Sequence, residues 1–165
     1  MADLLPKERL QPSLLDRLTD KAPHKRDESR EQRVMSVGQL KQSVMRDLKW
    51  LLNASRLESV LPLDQLPHLR GSVLNYGLLD LTGKTASSID PTVVERAVRQ
   101  SILDFEPRII PSSLRVRMID KEASKYNNIV FEITGEIWFQ PMSEPLYLKT
   151  TLDLELGNVE IDLQG

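Results

Sequence analysis

The spacing of the apolar residues changes once along the chain, at Pro107, and this change limits the possible folds more than any other feature. In two segments before Pro107, which an irregular stretch over 54–89 separates, apolar residues recur every three or four positions, which is the period of an α-helix packed on one side. After Pro107 they alternate with polar residues, as in a β-strand with one buried face. The sequence therefore predicts an α+β fold, with helices covering one face of an antiparallel sheet.

Two segments combine the helical period with signals for helix ends. The first spans about 37–53, where Ser36 and Gln39 have the spacing of a capping box. The second begins after Asp90, a favourable N-cap, and stops before Pro107. We expect these to be the two main helices of the domain.

Four segments alternate in the manner of strands. They lie around residues 114–118, 129–139, 146–154 and 159–163. Between the last two, Gly157 and Asn158 are typical of a tight hairpin turn. Four strands in succession predict an antiparallel sheet of about four strands.

Residues 1–35 differ from the remainder, which we interpret as a single domain over 36–165. This extension is rich in proline and in charges of both signs, and a possible N-cap at Ser13 precedes its single apolar cluster. The cluster consists of Leu14, Leu15 and Leu18. Two interpretations remain open: a disordered tail, or a short anchor that folds onto a partner.

Trp50 lies away from the apolar stripe of the first predicted helix, roughly 140° from its centre at about 100° per residue. A tryptophan on the polar side is either covered by the N-terminal extension or offered to a partner, since aromatic anchors are common at interfaces. Covering is the interpretation that we favour.

Composition excludes several functional classes. The chain has no cysteine, so disulfides and thiol nucleophiles are excluded, and its net charge of −2 argues against nucleic-acid binding. The two histidines lack metal-ligand spacing, and no glycine-rich phosphate loop occurs. No run approaches the roughly 20 apolar residues of a membrane helix, and a signal-peptide pattern is missing. We therefore expect a cytoplasmic protein without a cofactor, a metal or catalytic residues.

The segment Phe105-Glu106-Pro107-Arg108 lies at the predicted junction of helix and sheet. Proline ends the helix, and arginine offers a planar fork of five donors that grips carboxylates or carbonyls. Glu106 and Arg108 either lock the turn within the chain or form a charged clamp for an incoming chain. Local chemistry favours the first interpretation.

Several segments in order resemble the TssE family, the baseplate subunits of type VI secretion systems. This family lies within the wider family of phage baseplate wedge proteins that are sometimes labelled lysozyme-like. Arg46-Asp-Leu-Lys-Trp-Leu-Leu-Asn53 is similar to its D-L-x-W-L-L-N stretch, and Phe105-Glu-Pro-Arg108 to its E-P-R motif. Leu79 replaces the family's usual proline in an otherwise similar loop. The other similar segments are 12–20, 72–83, 131–138 and 144–154.

The resemblance implies a structural role in a cytoplasmic baseplate wedge with TssF, TssG and TssK, where the subunit starts a sheath of TssB and TssC. It also implies a sheet edge beside the E-P-R motif, which suits addition of a strand from a sheath subunit. Glu106, Pro107 and Arg108 would then contact or organise the incoming arm. The leucine cluster and Trp50 would face wedge partners.

A cell-wall glycosidase is the alternative that the lysozyme-like label suggests. Such an enzyme needs two carboxylates at a defined separation, one of them with a raised pKa. The 24 acidic residues offer such pairs by chance, and no acid and nucleophile can be singled out. We therefore expect an assembly protein and not an enzyme.

Overall fold

A computed structural model describes residues 13–19, 24, 36–83, 88–120, 127–139 and 142–163. It confirms the predicted α+β fold, with two main helices and an antiparallel four-stranded sheet. The helices are α1 (Leu14–Leu18), α2 (Val37–Asn53) and α3 (Pro91–Phe105). The strands are β1 (Arg115–Asp120), β2 (Asn128–Ile137), β3 (Glu144–Asp153) and β4 (Val159–Leu163). The short 3₁₀ turns Leu57–Ser59, Pro67–Leu69 and Val73–Asn75 lie between α2 and α3.

Both main helices begin as their sequences predict. At the start of α2 the Ser36 hydroxyl accepts a hydrogen bond from Gln39 N, and the Gln39 side chain accepts one from Ser36 N at 2.8 Å. The Asp90 carboxylate accepts a hydrogen bond from Thr92 N at 2.8 Å at the start of α3. These caps bond backbone N–H groups that a helix leaves without internal partners.

The sheet is a meander with the order β1-β2-β3-β4. Ile133 of β2 pairs with Val116 of β1 and with Leu148 of β3, and all three are buried. The apolar sides of α2 and α3 pack on this face and complete one core. The main helical members of the core are Leu40, Val44, Leu48, Leu51, Val94, Val98 and Ile102. Burial of these side chains on one face leaves the opposite face of the sheet to charged residues.

The connection between β3 and β4 is longer than the predicted tight hairpin, because residues 154–158 all lie outside the strands. Leu154 is buried, and its N–H donates to Asn127 O at 3.0 Å instead of to β4. The Asp153 carboxylate accepts hydrogen bonds from the N–H groups of Glu155 and Leu156. Gly157 adopts φ +67°, so the glycine of the pair still makes the turn.

The irregular segment after α2 folds back against the end of that helix. Leu78 N donates to Ala54 O at 2.7 Å, and Gly77 just before it has φ +130°. A Cβ atom at Gly77 would lie 2.3 Å from Ala54 O, so only glycine fits there. The Gly77 carbonyl accepts hydrogen bonds from Ser101 of α3 and from Arg56, which ties the segment to α3 and to the residues that follow α2.

Candidate functional site

The E-P-R motif joins the end of α3 to the end of β2. Glu106 is the C-cap residue of α3, and its N–H donates to Ile102 O at 2.8 Å. Two residues on, Arg108 O accepts a hydrogen bond from Trp138 N at 2.7 Å, and Ile109 forms an antiparallel bridge with Ile137. The motif therefore lies at one end of the sheet and holds a main helix against it.

The side chains of Glu106 and Arg108 form a two-point ion pair. Arg108 Nε donates to Glu106 Oε1 at 2.6 Å, and Nη2 donates to Oε2 at 2.5 Å. Arg108 N also donates to Oε1 at 3.2 Å. Glu106 is only 4% exposed, and a buried carboxylate is tolerated when it is paired in this way. These contacts are the intramolecular lock that local chemistry favoured.

Arg108 also reaches α2. Its Nη2 donates to Asp47 Oδ2 at 2.6 Å, and its Nη1 donates to Ser43 Oγ at 3.0 Å. Burial by itself lowers the pKa of Arg108, but the hydrogen bonds and charges of Glu106 and Asp47 outweigh it and raise that pKa above its usual value. The guanidinium therefore stays charged, and four of its five N–H groups have partners.

Asp47 connects Arg108 to a second arginine, Arg46, which directly precedes it in α2. Arg46 Nη2 lies 2.8 Å from Asp47 Oδ1, and Arg46 Nη1 lies 2.6 Å from Asp16 Oδ1 in α1. The Arg46 guanidinium carbon also lies 5.2 Å from the centre of the Trp50 ring, which is the geometry of a cation–π contact. Two arginines and three carboxylates thus form one network, which we call the arginine network: Asp16, Arg46, Asp47, Glu106 and Arg108.

Helix α1 docks on α2 through polar contacts. Ser13 caps it, and the Asp16 carboxylate accepts hydrogen bonds from Ser13 Oγ at 2.6 Å, Ser43 Oγ at 2.7 Å and Arg46. Burial raises the pKa of Asp16, but the hydrogen bonds from Arg46, Ser13 and Ser43 and the Arg46 charge hold that pKa well below its usual range. Asp16 is therefore ionised at neutral pH, and α1 contains no buried residue.

The leucines of α1 point outward. Leu14 and Leu18 are 70% and 75% exposed, and Leu15 is 43% exposed. Trp50 is 52% exposed, so among the described residues the N-terminal segment does not cover its ring as we favoured. The leucines and Trp50 are thus apolar surface on α1 and on the adjacent helix, and the arginine network lies between α1 and the E-P-R motif.

Sequence reasoning identified the two ends of this site but missed its middle. Ser43 was not singled out, and Arg46 and Asp47 were named only within the stretch that resembles D-L-x-W-L-L-N, although Ser43 and Asp47 lie one helical turn apart. Their partner Arg108 is distant in sequence: it lies 61 residues from Asp47 and 65 residues from Ser43. A polar cluster within an amphipathic helix was the available signal, and Ser43 is 4% exposed.

Two classes of site are not found in the described part of the chain. No group of three or more histidine, cysteine or acidic side chains there is placed to hold a metal ion. Among the described helices, none has the length and apolar character needed to cross a membrane. Four of the ion pairs between described residues belong to the arginine network.

The family model for baseplate wedge protein gp25 matches residues 38–142. This range holds α2, α3, the E-P-R motif and the first two strands, and it leaves α1, β3 and β4 outside. No curated protein matches the chain. The match covers more than half of the sequence and includes the residues at the centre of the arginine network. The chain therefore belongs to the family of baseplate wedge protein gp25, to which TssE also belongs, and is a structural component of a phage-tail-like baseplate.

Proposed function

We propose that this chain is the TssE-like subunit of a type VI secretion baseplate. In this role it lies in the cytoplasm near the inner face of the membrane and joins a wedge of TssF, TssG and TssK to a sheath of TssB and TssC. It starts sheath assembly by accepting a strand from a sheath subunit, and it has no enzymatic activity. Membership of the baseplate wedge family supports the machine, and the edges of the sheet support the mechanism.

The edge at β1 is covered by side chains of α3. Met118 N points away from β2 and donates to Glu95 Oε1 at 2.8 Å. At the start of the strand Leu114 O accepts a hydrogen bond from Arg99 Nε at 3.4 Å. Both groups are main-chain atoms that an added strand would need. This edge is therefore poorly suited to accept a strand.

In the part of the chain that the structure describes, the edge at β4 is covered at one position and open beyond it. The side-chain amide of Asn53 bonds both main-chain groups of Val159, its N–H and its C=O, at 2.9 Å each. In an antiparallel edge strand, the main-chain N–H and C=O groups of every second residue point away from the sheet. The N–H and C=O groups of Ile161 and Leu163 therefore point outward, like those of Val159. The observation that carries the proposal is this open edge of β4 after Val159. The contact of Asn53 with Val159 marks where the open edge begins.

The charges beside the open edge define the kind of arm that fits. Glu160 and Asp162 are exposed on the uncovered face of the sheet, next to Ile161. An arm that adds here places alternate side chains beside these carboxylates. We expect basic residues at those positions, since opposite charges across neighbouring strands are favourable.

The E-P-R motif organises the end of the sheet in this proposal. Glu106 is buried and Arg108 has four bonded N–H groups, so the pair fixes the junction of α3 and β2 before a partner arrives. Leu14, Leu15 and Leu18, which we call the anchor leucines, are exposed together with Trp50 and can contact the wedge. The lysozyme-like alternative gains nothing from Glu106, because Arg108 bonds both of its carboxylate oxygens.

Leu163→Pro tests the edge. Proline removes the outward N–H of residue 163 and leaves the pairing with β3 in place, because proline is tolerated where its nitrogen faces out of a sheet. In co-purification with the wedge and sheath proteins of the same genome, we expect Leu163→Pro to lose TssB and TssC and to retain TssF and TssG. Leu163→Ala, which keeps the N–H, is the matched control and should retain both.

Three other outcomes are informative. Retention of the sheath proteins by Leu163→Pro would reject strand addition at β4 and keep the baseplate role. Loss of the sheath proteins by both variants would assign the effect to the side chain. Failure of the unchanged protein to capture wedge or sheath would reject the assignment to a type VI baseplate.

A further inference from the structure

The hydroxyl of Ser43 lies between α1 and the E-P-R motif. It donates its proton to Asp16 Oδ2 at 2.7 Å and accepts hydrogen bonds from Arg108 Nη1 at 3.0 Å and Arg46 Nη2 at 3.3 Å. A hydroxyl has one proton and two lone pairs, so these three contacts use its full capacity. Ser43 is 4% exposed, which leaves little access for water to replace a missing partner.

Asp16 determines which acceptor the Ser43 hydroxyl donates its proton to. Without that carboxylate, a serine inside a helix usually donates to the carbonyl of the residue four positions earlier, which here is Gln39. Such a rotation turns the lone pairs of the hydroxyl away from Arg108. The guanidinium then loses its Nη1 partner, while its bonds to Glu106 and Asp47 remain.

We infer that Asp16 is a positioning residue for Arg108 and acts through the hydroxyl of Ser43. The docking of α1 and the orientation of the E-P-R arginine are then coupled, although Asp16 and Arg108 share no hydrogen bond. This inference deepens the proposed function, on which its use in the baseplate rests. It means that a wedge partner that binds the anchor leucines also changes the site at the end of the sheet.

The weak attachment of α1 makes this coupling responsive. A five-residue helix is not stable by itself, and no residue of α1 is buried. Its docking rests mainly on one carboxylate, so a partner that binds Leu14 and Leu18 can strengthen or release it. Coupling between binding events is reciprocal, so an arm that contacts the Arg108 region changes the affinity of α1 for its partner by the same factor.

The test is the rate at which the Arg108 Nη1 protons exchange with water, measured by NMR on the full chain without partners, because Nη1 is the atom that contacts Ser43. We expect Asp16→Asn to raise this rate about 2- to 10-fold, the range that corresponds to one lost hydrogen bond. In a Ser43→Ala background the same change should alter the rate less than twofold. Ser43→Thr keeps the hydroxyl and should restore the effect of Asp16→Asn.

Arg17→Gln is the matched control, because Arg17 belongs to α1 and is exposed. It should leave the exchange rate unchanged. An unchanged rate in Asp16→Asn would overturn the inference, and so would an effect of equal size with and without the Ser43 hydroxyl. Because this measurement needs no partner, its result is independent of co-purification with the sheath, and either proposal can fail while the other holds.

Discussion

At the scale of single residues, Arg108 holds three parts of the site together: the E-P-R motif, Asp47 and Ser43. Its planar guanidinium contacts Glu106 at two points, Asp47 at one and Ser43 at one. Lysine has a charge but lacks the fork, so it cannot reproduce this geometry. Loss of these contacts leaves the buried Glu106 carboxylate without a matched partner, and such unpaired charges are costly.

We therefore expect Arg108→Lys to lower the free energy of unfolding by roughly 2–3 kcal/mol, as measured by urea denaturation. Arg46→Lys is the matched comparison, because Arg46 also bonds two carboxylates but its side chain is more exposed. It should cost about 1 kcal/mol or less. Equal losses in the two variants would show that burial of Glu106 does not set the cost.

At the scale of elements, α1 has an inverted orientation. Short amphipathic helices usually turn their leucines inward, but here Asp16 faces α2 and the leucines face outward. At about 100° per residue, Asp16 lies nearly opposite the centre of the leucine cluster. The docking of α1 therefore depends on a charge, whereas that of α2 and α3 depends on burial.

This charge gives the docking of α1 a defined pH dependence. The folded pKa of Asp16 lies below its ordinary value of 3.8, so its contribution is fully present above about pH 3.8 and is lost as the pH falls through the folded value. The facing groups are Ser13 in α1 and Ser43 and Arg46 in α2, with Asp47 beyond them. We expect the amide chemical shifts of α1 to be constant from pH 8 to 5 and to move toward undocked values well below pH 3.8.

Asp16→Asn should abolish that acid transition and give the undocked shifts at every pH. A transition with a midpoint near pH 5 or above would contradict the lowered pKa. A transition that persists in Asp16→Asn would assign it to another group of the network.

The outward leucines predict a separation of stability from binding. Leu14→Ser with Leu18→Ser should change the free energy of unfolding by less than about 0.5 kcal/mol, because both side chains are already exposed. The same double variant should lose TssF and TssG in co-purification. Val60→Ser, which alters an apolar residue that is 82% exposed elsewhere, is the control and should retain them. Loss of stability with retained binding would reject the role of α1 as an anchor.

The sequence predicted elements better than the contacts between them. The capping box at Ser36 and the proline stop at Pro107 are local signals, and both lie where the structure has helix ends. The prediction of a tight hairpin between β3 and β4 was wrong, because burial of Leu154, a tertiary effect, outweighs the local preference of Gly157-Asn158 for a tight turn. The arginine network is joined by two contacts that span 30 and 61 positions, Arg46 with Asp16 and Arg108 with Asp47, and no local pattern reveals them.

At the scale of the whole molecule, both main helices lie on one face of the sheet, and no other described helix covers the opposite face. A row of alternating charges crosses all four strands on that face. Direct pairing places Arg117 beside Glu132, Glu132 beside Lys149, and Lys149 beside Asp162. Opposite charges in directly paired positions stabilise a sheet modestly.

Lys149→Glu should therefore destabilise the protein by about 0.5–1 kcal/mol, since it places three acidic residues side by side. The loss should shrink in high salt, because these side chains are largely exposed and salt screens them. Lys49→Glu on the exposed side of α2 makes the same change of charge outside the row and should cost less. A loss of equal size for both variants, or one insensitive to salt, would reject a contribution from the row.

The amide of Asn53 on Val159 has a consequence for how copies of this protein behave at high concentration. A continuous ribbon of identical subunits needs an accepting edge on each side of every sheet. Here α3 side chains cover one side at Leu114 and Met118, and Asn53 shortens the other. Among the described residues, one side of the sheet is thus left to accept a strand. Under the proposed function we expect a polymer of different subunits to grow from it in one direction, and its own copies to lack a matching second edge on which to propagate.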